Sequence, residues 1–322
     1  MVCSCKTIEI DAPMTETLPA IEFSNVSTKA ALNEIQDDGF GVWALLDNAT
    51  VTDELILNNA EVTYNSAAGS WKYSPLRYWI DESVFTFLAA YPYDESAYKL
   101  DPGNSSLNLT LSETPSKVDY MMATNMTDTS VEDYSRTVDL KFKHILTSVG
   151  LNIWRDGGKH QNDQMRIKKV TLSNIRKGGT YTSTYTSNTD LWEPSNEKLT
   201  LEKVYEGGSK DIGAVTVKED GTLEPGGSKP ADPFNDMMLI PQTLDESSPV
   251  SLKIQYELKR QNAADWETAE LEAVLPSFTW EPSRRYTYNV VLSSVTDITV
   301  YYIQTKVDPW GTPQVGGTVI IK

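Results

Sequence analysis

The chain of 322 residues contains two imidazoles, His144 and His160, and neither sits at a spacing that would bring a nucleophile, a base and an orienting acid together. There is no Gly-x-Ser-x-Gly elbow, no His-Glu-x-x-His helix, no phosphate-cradling glycine loop and no dinucleotide-binding glycine pattern. Asp37-Asp38 and Asp81-Glu82 are carboxylate pairs of the sort that cleave glycosidic bonds. A chain with 45 acidic residues contains such pairs by chance. His144 falls on the apolar side of an alternating run and reads as a core histidine held by hydrogen bonds. His160 follows Gly157-Gly158-Lys159 and reads as loop. The expectation is a protein with no catalytic residue, no cofactor and no metal.

Sulfur chemistry is confined to Cys3 and Cys5, so no disulfide can staple the fold and no four-ligand zinc spacing exists. Their setting, Val2-Cys3-Ser4-Cys5-Lys6, resembles the end of a bacterial lipoprotein signal, with the polar stretch Lys6 to Ala20 behind it as a tether. No apolar run is long enough to cross a bilayer, so attachment to a membrane would go through lipid, and more than one acyl chain. Trp71, Trp79, Trp154, Trp192, Trp266 and Trp310 could stack on sugars or fill cores. Asn-x-Ser/Thr sequons begin at Asn25, Asn48, Asn104, Asn108 and Asn125; behind a bacterial lipoprotein start they carry no glycan. The 45 acidic against 28 basic residues give a formal charge of -17, which repels nucleic-acid phosphates and excludes them as partners.

The elements around these residues are strands. In Ser251 to Lys259, Leu252, Ile254, Tyr256 and Leu258 alternate with polar residues, so one face is core and the other wet. Val138, Leu140, Phe142, His144 and Leu146 repeat the pattern, as do Tyr286, Tyr288, Val290 and Leu292. Turn clusters punctuate the runs at Asp101-Pro102-Gly103-Asn104, Asp156-Gly157-Gly158, Lys177-Gly178-Gly179 and Glu224-Pro225-Gly226-Gly227. Thr28 to Asp38 is the best helical stretch, and it is short. The hydrophobic fraction of 39% is enough for packed cores. The fold class is therefore all-β, with two β-sandwich domains, Greek-key connections and little helix. The division expected is an N-terminal tether at 1–20, a first sandwich at 21–135 and a second at 136–322.

Several strings, in this order, resemble the fimbrillin family of pilin-like surface lipoproteins. They are Ile21-Glu22-Phe23 through Thr28-Lys29-Ala30, Phe40 to Ala44, Tyr78-Trp79, Phe85 to Pro92, Val118 to Ala123, Val138 to Leu146, Met238 to Gln242, Tyr286 to Val290 and Val307-Asp308-Pro309-Trp310. The resemblance implies transthyretin-like sandwiches and a cell-surface fimbrial subunit exported as an outer-membrane lipoprotein. It also implies assembly by donor-strand exchange. A trypsin-like protease cuts near the start of the first domain, a strand leaves, and a C-terminal strand of the next subunit replaces it. Residue by residue, it assigns lipidation to Cys5, cleavage to Lys29 and the departing strand to Ile21–Lys29. The donor segments are Ile298 to Gln304 and Gln314 to Lys322, with Val300, Tyr302, Val315, Val319 and Ile321 filling pockets. The implied partners are other pilin subunits, the processing protease, the lipid anchor and a surface receptor that no motif identifies. Two positions depart from the family pattern: Lys29 stands where Arg is common, and Ser283-Arg284 occupy a turn that often holds Gly. The competing functions are a glycan-binding surface lipoprotein and a tip adhesin that does not polymerise.

Overall fold

The computed structural model describes residues 19–27, 32–185, 191–205, 208–219, 222–244, 247, 249–275, 279–293 and 298–306. Its first half runs β1 (Glu22–Ser27), α1 (Leu32–Asp38), β2 (Phe40–Asp47), β3 (Glu54–Asn65), β4 (Ser70–Lys72), β5 (Val84–Tyr91), β6 (Tyr98–Asp101), β7 (Ser106–Leu111), β8 (Met121–Asp128), β9 (Thr137–Lys141) and β10 (Lys143–His144). The second half runs β11 (Thr147–Asp156), β12 (Gln164–Arg176), β13 (Gly179–Thr184), β14 (Leu191–Pro194), β15 (Lys198–Val204), β16 (Lys210–Asp211), β17 (Ala214–Val217), β18 (Leu223–Glu224), β19 (Ala231–Leu239), β20 (Gln242–Thr243), β21 (Ser251–Lys259), β22 (Glu267–Val274), β23 (Thr279–Trp280), β24 (Arg284–Leu292) and β25 (Ile298–Lys306). The architecture is all-β, built on two sandwich cores, and α1 falls within the stretch read as helical. It ends where Gly39, at φ +74°, takes the left-handed conformation and its N–H meets the Ile35 carbonyl.

In the first sandwich the six-stranded sheet β10-β8-β5-β2-β3-β4 faces the parallel pair β1-β9. Ile21, Phe23 and Val26 from the β1 segment and Val138 and Leu140 from β9 pack against Phe40, Val42, Phe85 and Phe87. Residue 135 lies in the connection between β8 and β9, and Phe142, beyond it, packs in this same first core. In the second sandwich, β18-β17-β11-β24-β25, joined by β19 on β11, faces β15-β12-β21-β22. Val149, Leu151, Tyr286, Tyr288 and Val290 meet Val170, Leu172, Leu252, Ile254 and Tyr256. Strand β21 alternates buried and half-buried residues from end to end, as period-two patterning requires.

A third sheet, β14-β13-β7-β6, takes strands from both halves, with Tyr181 opposite Leu109 in its register. It covers the outer face of β2, β5 and β8: Trp43, Leu88, Ala90 and Met122 meet Leu107, Leu109 and Tyr181 there. Phe40 to Leu46 and Phe85 to Tyr91 are therefore buried on both faces. Their side chains read as continuous apolar runs because a strand covered on both sides has no wet face.

Candidate functional site

Strand β1 is seated at the margin of the first sandwich. On one edge it pairs in parallel with β9, Glu22 opposite Thr137 and Val26 opposite Leu140. Its lead-in is held by a different segment: Ile21 N–H donates to the Arg77 carbonyl, Trp79 N–H donates to the Pro19 carbonyl, and the Tyr73 hydroxyl donates to the Ile21 carbonyl at 3.0 Å. Side-chain burial is heavier than backbone pairing. Ile21, Phe23 and Val26 are 1%, 4% and 6% exposed, and the Phe23 ring makes edge contacts with Phe40, Tyr73 and Phe87. The other flank of β1 borders a groove of about 520 Å³, with Trp71, Tyr73 and Leu76 across from Phe23. Burial there raises the Tyr73 phenol above its ordinary titration range. The bed beneath β1 and its lead-in is lined by the aromatic rings of Phe40, Tyr73 and Phe87.

The C-terminal strand β25 pairs antiparallel with β24, Val300 opposite Val290 and Tyr302 opposite Tyr288. It closes one end of its sheet. Of the residues the sequence singled out, Val300 and Tyr302 therefore lie on one edge strand. Cys5, Lys29, Val315, Val319, Ile321 and Trp310 lie outside the described residues. Strand β1 and strand β25 belong to different sandwiches, so the structure does not bring the departing and donor strands together within one chain.

Ser283 has a physical reason to be a family glycine position: its φ is +56°, in the left-handed region. The strained turn is held because its N–H donates to the Leu146 carbonyl and its hydroxyl to the His144 carbonyl. His144 is buried, with Nδ1 2.8 Å from Asp119 Oδ2. His160, read as loop, is in a turn but is also buried, and both its ring nitrogens have partners. The only local signal was the His-x-x-Asp spacing to Asp163.

The tryptophans and carboxylate pairs singled out by the sequence are placed as follows. Trp71, Trp79 and Trp154 are buried, Trp192 is half-buried with Nε1 donating to the Ile145 carbonyl, and the half-buried Trp266 ring lies under the Arg166 guanidinium at 3.9 Å. Three of these five rings are thus enclosed, and the Trp266 ring is covered on one face. Asp37, Asp38, Asp81 and Glu82 are exposed, and Asp38 accepts a hydrogen bond from the Tyr91 hydroxyl. Among the described residues no cluster of His, Cys, Asp and Glu is arranged to hold a metal ion, and no helix is long and apolar enough to cross a membrane.

A family model described as fimbrillin-like matches residues 28–310. The chain belongs to the fimbrillin-like family. Among solved structures, a fimbrial protein of Bacteroides vulgatus is 18% identical, with 89% of this chain and 99% of that one covered at a TM-score of 0.63. That likeness establishes the shared fold of this fimbrillin-like chain. A Bacteroides ovatus protein assigned to cell adhesion is 18% identical over 92% of this chain and 99% of that one, at a TM-score of 0.49. The tip fimbrial protein Mfa3 of Porphyromonas gingivalis, truncated at its C-terminus, is 12% identical over 89% and 100%, at 0.39. No curated protein sequence matches the chain.

Proposed function

We propose that this fimbrillin-like chain is a structural subunit of a cell-surface fimbrium that contributes to adhesion and assembles by strand exchange. The observation that carries the reading is β1: its apolar side chains are buried while, among the described residues, only one of its edges is paired along its length to another strand. In this scheme Cys5 carries the lipid of an outer-membrane precursor and a trypsin-like protease cuts after Lys29. Strand β1 then leaves, and the furrow lined by Phe40, Trp71, Tyr73 and Phe87 accepts a C-terminal strand of another subunit. Val300, Tyr302, Val315, Val319 and Ile321 supply the alternate side chains that refill it. Ile21, Phe23 and Val26, the buried apolar side chains of β1 and its lead-in, contribute about 5 to 9 kcal/mol of burial free energy, so an empty furrow is a strong acceptor.

The burial of Trp71, Trp79 and Trp154 favours this reading over glycan binding. Limited trypsin digestion followed by mass spectrometry and size analysis tests it. A single cut after Lys29, with growth of denaturant-resistant oligomers, supports strand exchange. Resistance at Lys29, or a cut product that stays monomeric, removes the polymerising role and leaves a tip adhesin.

A further inference from the structure

His160 sits in the turn between β11 and β12, 7% exposed, and its two ring nitrogens face two acceptors. Nδ1 is 2.8 Å from Asp163 Oδ2, and Nε2 is 2.7 Å from the backbone carbonyl of Ser293. A carbonyl oxygen only accepts, so Nε2 carries a proton. Asp163 is held below the usual carboxylate range, first by its bond to His160 and further by the Gln261 N–H and by Arg260, so it accepts as well. The bonding pattern is complete only when both ring nitrogens are protonated. Ser293 follows β24 directly, and the next described residue is Ile298, the first of β25. The ring thus fastens the root of the β24–β25 hairpin to a turn 133 residues away.

We propose that the doubly protonated His160 ring is a latch on the C-terminal hairpin, and that loss of either ring proton loosens β25 from β24. Asp163 faces Nδ1 of the ring, and the Arg155 guanidinium donates to the His160 carbonyl. Asp156 spends one carboxylate oxygen on the Gly158 and Lys159 N–H groups, and Arg260 acts on Asp163 from the β21–β22 turn. Ser293 brings no charge. A ring that bonds through its charged form stabilises the hairpin below its own titration and ceases to do so as pH rises through it. At the acid extreme the latch is lost again, when Asp163 takes up a proton. The neutral ring leaves one nitrogen bare, and that nitrogen turns a lone pair on an acceptor at hydrogen-bond distance, either the Ser293 carbonyl, which cuts the tie directly, or Asp163 Oδ2, which pushes the ring out of its seat.

The latch is a property of the uncleaved monomer. Only the use of a freed β25 as a donor rests on the strand-exchange reading. The test is amide hydrogen exchange on the full monomeric chain as a function of pH, with the ring titration followed by NMR on one of only two imidazoles in the chain. In the wild-type protein, opening of residues 298–306, corrected for intrinsic exchange, should rise about ten-fold or more as His160 loses its proton, the scale of a hydrogen bond to a charged group. His160→Gln should exchange fast in this segment at every pH, and Asp163→Asn should blunt the break. Amides of β21 serve as the folding control and should stay protected in both variants. A wild-type β25 with no break at the ring titration, or a break that survives in His160→Gln, overturns the latch. Polymerisation is not read in this experiment, so a failure of strand exchange leaves the result unaffected.

Discussion

Nδ1 of His144 lies 2.8 Å from Oδ2 of Asp119, in a seam where β10 meets β8 and where the Ser283 hydroxyl reaches the His144 carbonyl from the second sandwich. One buried residue thus touches groups from both halves of the chain, Asp119 through its ring and Ser283 through its backbone carbonyl. Asp119→Ala removes the partner of a buried ring and should cost about 1 to 3 kcal/mol, whereas Asp119→Asn, which retains an acceptor, should cost less. Denaturant unfolding of the two variants checks this; equal losses would assign the role to packing alone.

The sheet shared by the two halves gives a sharper prediction. A Cβ built on Gly178 would stand 2.2 Å from the Leu111 carbonyl oxygen, where β13 is delivered onto β7. Backbone lies on both sides of that contact, so relief requires β7 and β13 to part. Gly178→Ala should cost about 2 to 4 kcal/mol and should raise hydrogen exchange selectively in residues 106–111 and 179–184. Uniform loss of protection would show that the shared sheet is not a separable unit.

How much of this was legible beforehand depended on sequence distance. Strand β21 was readable because its core face and wet face alternate within nine residues. The shared sheet was not, because Leu109 and Tyr181 pair across a gap that no local pattern bridges, and a hairpin from one half covering the other leaves only an apolar run as its trace. His160 was read as loop for the same reason: the turn was visible in Asp156-Gly157-Gly158, but the Ser293 carbonyl that buries the ring comes from the far end of the chain. The site shows the same split. Ile21-Glu22-Phe23 is legible as one of the strings that carry the family resemblance, but the aromatic bed formed by Phe40, Tyr73 and Phe87 exists only after folding.

Alkaline titration probes the second core. Burial pushes the Tyr256 phenol up to about 12, and its side chain is fully enclosed in the sandwich. The sign follows from linkage: the unfolded phenol releases its proton near 10, the folded one does not, so stability is intact below 10 and falls as pH rises toward 12. Tyr98, raised by burial at the shared sheet, acts in the same direction. The loss attributable to Tyr256 should reach about 2 to 3 kcal/mol by that pH, and Tyr256→Phe should flatten the decline. A phenolate absorbance titration in which every tyrosine of the folded protein ionises together near 10 would contradict this account.

Phe23 offers the most direct mechanical test of β1. Its ring is the side chain that locks the strand into the aromatic bed, and Phe23→Ala should cost about 3 to 4 kcal/mol in burial and cavity terms. Among the described residues strand β1 pairs with another strand along one edge only, so much of that loss should appear as local release rather than global unfolding. The variant should therefore be cut after Lys29 faster than wild type by trypsin while β21 amides remain protected. Tyr288→Phe, which removes only the hydroxyl that receives the Trp280 Nε1 proton in the other core, is the matched control and should leave the Lys29 rate unchanged. Equal acceleration in both variants would mean that β1 opens only with the whole molecule, and a strand released that way could not serve as the replaceable element of a polymer.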